Sequence, residues 1–134
     1  NFSYRFPAVK GIQAGREYYI SMVPLKLLSR LFPSDDEIVM PEYRAQRRIN
    51  EARIQEIKRY ILENRDTYVF SALSASIDGH FTFTQLVDSD VGILEVDMDS
   101  VFLINDGQHR KAAIEAAMEE DSTLGEETIS IVKQ

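Results

Sequence analysis

Between Val101 and Lys111 the chain reads VFLINDGQHRK, and this stretch constrains the fold more than any other. An apolar run halts at Asn105-Asp106, turns on Gly107 and opens at once into the alanine-rich segment that follows Arg110. The pattern predicts a buried strand feeding a helix through a single glycine. The first turn of such a helix has backbone N–H groups with no partner of their own, and these attract anions, phosphates above all. Gly107 would let a ligand approach the backbone, and Arg110 lies one turn in, near the same charge. A plainer reading stays open on chemistry alone. Asn105 or Asp106 would cap the helix, and Gln108, His109 and Arg110 would face water.

Other segments place this junction in an α+β domain. Tyr4–Val9 and Glu17–Val23 are β-rich and flank a Gly11–Gly15 turn, which predicts a hairpin. Pro24 suits the first position of a short helix with Leu25, Leu27, Leu28 and Leu31 on its apolar face. The spacing of Ile54, Ile57 and Ile61 predicts a helix within Ile49–Asn64, capped near Asn50 and stopped at Asn64. Tyr68–Ile77 alternates as a strand, and Asp78-Gly79 reads as a hairpin turn into Phe81 and Phe83. Val91–Val96 is expected to pair with Val101–Ile104. Ala113, Ala116 and Ala117 give the last helix a small face for close packing. Asp121–Glu127 reads as an acidic loop before a final strand, Thr128–Val132. The expectation is one domain over 1–134 with a mixed sheet and packed helices. It begins at Asn1 and ends on a strand-like ETISIVKQ, and is read as part of a longer protein.

Composition narrows the chemistry. The chain has 134 residues and no cysteine, which excludes disulfides, thiolate metal sites and thiol catalysis and suits a reducing cytoplasm. No apolar run approaches the ~20 residues of a membrane span. The net charge of −7 opposes wholesale electrostatic binding of nucleic acid, yet the charge is uneven. Arg44, Arg47, Arg48 and Arg53 cluster with Lys58 and Arg59, and the arginine fork suits bidentate phosphate contacts. The bland alternative is a solvated face paired with Glu51 and Glu56. Phe70, Phe81, Phe83 and Phe102 read as core rather than as base-stacking platforms. Asp88, Asp90, Asp97 and Asp99 lack the register of a calcium loop, and His109 has no second His or Cys to make a metal site.

The order of residues adds a resemblance. Gly107-Gln108-His109-Arg110-Lys111-Ala112-Ala113 fits Gly-(Glu/Gln)-x-Arg-x-x-Ala, and so resembles the nucleotide-binding box of the ParB/sulfiredoxin superfamily. Asp106 to Arg110 also spells the signature of the DGQHR-domain proteins, the group that includes the DndB proteins of DNA phosphorothioation. Arg44-Ala45-Gln46-Arg47-Arg48 and Tyr68-Val69-Phe70-Ser71-Ala72, taken as a strand, extend the likeness over Tyr4 to Val132. The resemblance implies a ParB/sulfiredoxin-like fold and a cytoplasmic, DNA-binding regulator of a bacterial DNA sulfur-modification system. It implies a phosphate or nucleotide site at Gly107, Gln108, His109 and Arg110, while the clustering of Arg44, Arg47, Arg48 and Arg53 is itself what makes them the expected DNA contacts. Two alternatives go with it. One is a ParB-like nucleoside triphosphatase using Asp106, Gln108 and His109 with a nucleoside triphosphate and Mg2+. The other is a non-catalytic module contacting other DNA-modification proteins. Gln108 is neutral where a metal-serving Glu is usual, which favours binding over hydrolysis. Sulfiredoxin chemistry needs a cysteine and is excluded.

Overall fold

Apolar alternation builds the first hairpin. A computed structural model describes residues 2–32 and 51–134. In it β1 (Ser3–Gln13) and β2 (Arg16–Pro24) pair antiparallel, with Phe6 and Ala8 of β1 and Tyr19, Ser21 and Val23 of β2 turned inward. The turn is the pair Ala14-Gly15, both with positive φ (52° and 74°), as a two-residue hairpin turn demands. Gly11 is therefore a strand residue and not a turn residue. It sits opposite Tyr18, whose ring fills the space a side chain would need.

Pro24 closes β2 and does not open the helix. A 3-10 turn (Leu25–Leu27) and a short helix α1 (Leu28–Leu31) follow, burying Leu25, Leu28, Leu31 and Phe32. Helix α2 (Glu51–Glu63) buries Ile61 and ends where expected, with Asn64 Nδ2 donating to the Tyr60 carbonyl at 2.8 Å. The cap expected at Asn50 lies outside the described residues. The remaining elements are β3 (Leu73–Asp78), β4 (Phe81–Gln85), β5 (Val91–Asp97), β6 (Val101–Asp106), α3 (Gln108–Glu120), a 3-10 turn (Ser122–Glu126) and β7 (Thr128–Lys133).

Three strand expectations change. Tyr68–Ala72 is not a strand, because its main chain is engaged elsewhere. The Val69 N–H donates to Tyr60 Oη, and the Ser71 and Ala72 carbonyls accept from Arg110. Asp78-Gly79 is not a hairpin turn either, since β4 pairs with β5 while β3 pairs with β6 and β7. Nor does β5 pair with β6. The register explains both departures. Phe81 faces Val96 and Asp78 faces Val101, so β3–β4 and β5–β6 form one long hairpin, broken by a sharp corner. Its tip lies between Gln85 and Val91, where the Leu86 N–H donates to the Val91 carbonyl. At the corner Gly79 adopts φ 141°, and a Cβ there would fall 2.9 Å from the Ser100 backbone.

The corner sends the two halves of that hairpin to opposite ends of one seven-stranded sheet, ordered β4-β5-β1-β2-β7-β3-β6. Among the described strands only β3–β7 is a parallel pair; the other neighbours run antiparallel. Strands at opposite edges that are joined by so few residues force the sheet to curl, beyond ordinary strand twist. Aromatic rings close the curl across its interior. Tyr19 of β2 meets Phe83 of β4 with centroids 5.0 Å apart, and Tyr4 of β1 meets Phe102 of β6 at 6.3 Å. Phe102 and partly buried Phe81 and Phe83 are core residues, as the alternation predicts. Helices α2 and α3 pack on each other, with Ala113, Ile114 and Ala117 of α3 fully buried. The architecture is α+β with a curled mixed sheet.

Candidate functional site

Strand β6 delivers Asp106, and α3 starts at Gln108, so the strand–glycine–helix junction stands where the sequence places it. Gly107 caps α3 in a left-handed conformation (φ 110°, ψ 19°), and among the described residues no side chain caps the helix. The first intrahelical bond runs from the Lys111 N–H to the Gly107 carbonyl at 2.9 Å. The N–H groups ahead of it carry the positive end of the helix dipole.

The space a side chain at position 107 would need is already filled. A Cβ there would lie 2.4 Å from Leu73 Cδ2 and 3.1 Å from Arg110 Nη2. The glycine thus serves close packing of β3 and of the arginine fork over its Cα. Arg110 turns inward, with its side chain only 17% exposed. Its Nη1 donates to the Ser71 carbonyl (2.5 Å), Ser71 Oγ (2.8 Å) and the Ala72 carbonyl (3.1 Å). Its Nη2 lies 3.5 Å from Asp106 Oδ2, whose carboxylate is largely in water. Gln108 Nε2 donates back to the Ile104 carbonyl at 3.3 Å. His109 Nε2 is buried with no hydrogen-bond partner among the described residues, an arrangement that is costly unless something completes it.

The junction therefore brings together Asp106, Gly107, Gln108, His109 and Arg110. Arg53 stands exposed on α2, while Arg44, Arg47 and Arg48 lie outside the described residues. Among the described residues no group of three His, Asp or Glu side chains is placed to hold a metal ion. Magnesium prefers several oxygens, and Asp106, the junction's own carboxylate, is shared with Arg110.

A second polar centre escaped the sequence reading. Just past α2, Arg65 Nε donates to Asp121 Oδ2 at 2.8 Å, its Nη1 to Glu127 Oε2 at 2.9 Å and its Nη2 to Thr123 Oγ1 at 3.2 Å. Tyr68 Oη donates to the other oxygen of Glu127. The bonds from Arg65 and Thr123 hold the Asp121 carboxyl below its usual range, and those from Tyr68 and Arg65 do the same for Glu127. Burial, with the Glu127 carboxylate beside it, pushes the Tyr68 phenol up to about 12. Next to this centre is an open groove of about 640 Å³ whose lining includes Met22, Arg65, Asp66, Tyr68, Phe70 and Ser130. Nothing local marks these residues in the sequence. Their one signal is an arginine directly after a helix stop, with acids directly after the next helix.

The family model described as DndB, DNA-sulfur modification-associated, matches residues 6–133. The chain belongs to the DndB family. It is accordingly part of DNA sulfur modification, and the junction and the Arg65 centre both fall within the matched region. No curated protein and no solved structure matches it. No helix among the described residues is long and apolar enough to cross a membrane.

Proposed function

We propose that this DndB-family chain is a DNA-binding regulator of a sulfur-modification system, and that its α3 junction receives a phosphate group. The observation that carries this reading is the uncapped first turn of α3. Among the described residues its start has no side-chain cap, and His109, whose Nε2 has no partner there, belongs to the same turn. An oxyanion there would accept from backbone N–H groups and from the imidazole, with the helix dipole in its favour. Arg53, exposed on α2, and the arginines at 44, 47 and 48 supply charge for the duplex backbone. Phosphate contacts of this kind position a protein on DNA without reading its sequence. Binding is favoured over hydrolysis because Gln108 is neutral and its amide is held by the Ile104 carbonyl.

Titrating the protein with a labelled duplex at several salt concentrations tests the reading. Each phosphate contact contributes about −0.9 to the log–log salt slope, so Arg53→Ala should flatten it by roughly that much. Inorganic pyrophosphate, added to the same protein, should shift the amide resonances of Gln108, His109 and Arg110. Absence of duplex binding would remove the DNA-binding half of the proposal, and unmoved amides at millimolar pyrophosphate would remove the phosphate site at the junction.

A further inference from the structure

Among the described residues, Arg110 is the member of the junction whose side chain hydrogen-bonds a part of the chain distant in sequence, the end of the segment that leads into β3. The segment Tyr68–Ala72 links α2 to β3 outside the sheet. One end is held by the Tyr68 phenol on Glu127 and by the Val69 N–H on Tyr60 Oη. In its middle Phe70 packs against Tyr60 and Tyr68, with centroids 5.9 and 5.5 Å away. At the other end, Ser71 and Ala72 rest on Arg110 Nη1. The same guanidinium lies over Gly107, with Cζ 3.4 Å from the point a Cβ would occupy, beside the start of α3.

That placement sets up a competition. An anion seated on the first turn of α3 stands beside the guanidinium, and a phosphate adds a full opposite charge and a bidentate match to the fork, neither of which the neutral acceptors of Ser71 and Ala72 supply. Asp106, largely in water, is free to swing away from the incoming charge. We infer that Arg110 couples the α3 junction to the Tyr68–Ala72 strap: an oxyanion at the junction draws the guanidinium off Ser71 and Ala72 and loosens the strap. Tyr68 and Phe70 line the groove beside Arg65, so junction occupancy is felt at that groove. Arg110 is then a positioning residue that reports the ligand, in addition to holding it. The coupling rests on the phosphate reading of the junction; the ligand-free clamp does not.

Amide hydrogen exchange at Val69 tests both parts. Without ligand, Arg110→Ala should speed Val69 exchange at least tenfold over wild type, and Arg110→Lys, which keeps the charge and loses the fork, should fall between. Should Arg110→Ala fail to fold, Ser71→Ala removes one acceptor with the charge intact and should give a smaller increase. Equal exchange in wild type and in every one of these variants that folds overturns the clamp. Pyrophosphate added to wild type should raise Val69 exchange towards the Arg110→Ala rate and leave that variant's rate unchanged. Shifts at Gln108 and His109 with unchanged Val69 exchange overturn the coupling while the phosphate site stands. A clamp confirmed without ligand, but no resonance moved by pyrophosphate, overturns the coupling and the phosphate reading together.

Discussion

At residue scale the left-handed glycines show how little freedom the junction has. Gly107 combines φ 110° with a Cβ position 2.4 Å from Leu73 Cδ2, and Leu73 is itself fully buried and has no room to retreat. Gly107→Ala therefore meets conformational strain and a core clash together. Strained left-handed positions alone cost about 1–3 kcal/mol, and the overlap with Leu73 places this substitution at the upper end of that range. Urea denaturation of Gly107→Ala against wild type measures it; a loss below about 0.5 kcal/mol would contradict the packing described, since that is the scale of changes away from such features. The sequence made the glycine visible but not its reason. VFLINDG shows a turn into a helix, while the neighbour that forbids a side chain comes from β3, far away in the chain.

At element scale, α2, the strap, α3 and β7 are tied together by Arg65, Tyr68, Asp121 and Glu127, and this tie should be read in the pH dependence of stability. Asp121 and Glu127 titrate below their ordinary values in the folded chain. Their stabilisation is complete above the usual carboxylate range and is lost as pH falls through those depressed values. Tyr68 titrates near 12 against about 10 when unfolded, so its contribution is complete below pH 10 and declines as pH rises towards 12. Thermal melts should show a plateau with both shoulders. Tyr68→Phe should shrink the alkaline shoulder, leaving the part due to Tyr19, which burial and Glu17 also push up, and cost about 1 kcal/mol at neutral pH, the net worth of one hydrogen bond. An unchanged alkaline limb in that variant would place its titration elsewhere. Elements also mark how far the sequence could be read. Periodicity found α2 up to Asn64 and the whole span of α3, because a helix is declared by its own residues. Strand pairing is not, and so Asp78-Gly79 read as a turn when it is a corner. Only the register of Asp78 on Val101 and Phe81 on Val96 reveals the bent hairpin.

At the scale of the whole molecule, the curl of the sheet decides which apolar residues are structural. The alternation Val69, Leu73, Ala75, Ile77 treats all four alike, yet Val69 is 77% exposed and Leu73 fully buried. The difference arises because the strap leaves the sheet before Leu73, a departure driven by Arg110 and Tyr60 and invisible to periodicity. Phe102 marks the opposite case. It lies on edge strand β6, where side chains are ordinarily half in water, yet only 6% of it is exposed. Curling brings β6 over the rings of Tyr4 and Phe32, at 6.3 and 5.8 Å between centroids, so Phe102 helps to close the interior. Removing a buried phenylalanine costs about 3–5 kcal/mol, while exposed positions change stability by about 0.5 kcal/mol or less. Phe102→Ala should thus lower the urea midpoint steeply, Phe102→Leu much less, and Val69→Ala hardly at all. The closed curl also predicts a single cooperative transition, with the urea slope of Phe102→Ala close to that of wild type, since one closed core unfolds in both. A biphasic transition in that variant would show that the β3–β6 end of the sheet unfolds apart from the rest. A small loss for Phe102→Ala would show that the curl does not depend on this ring.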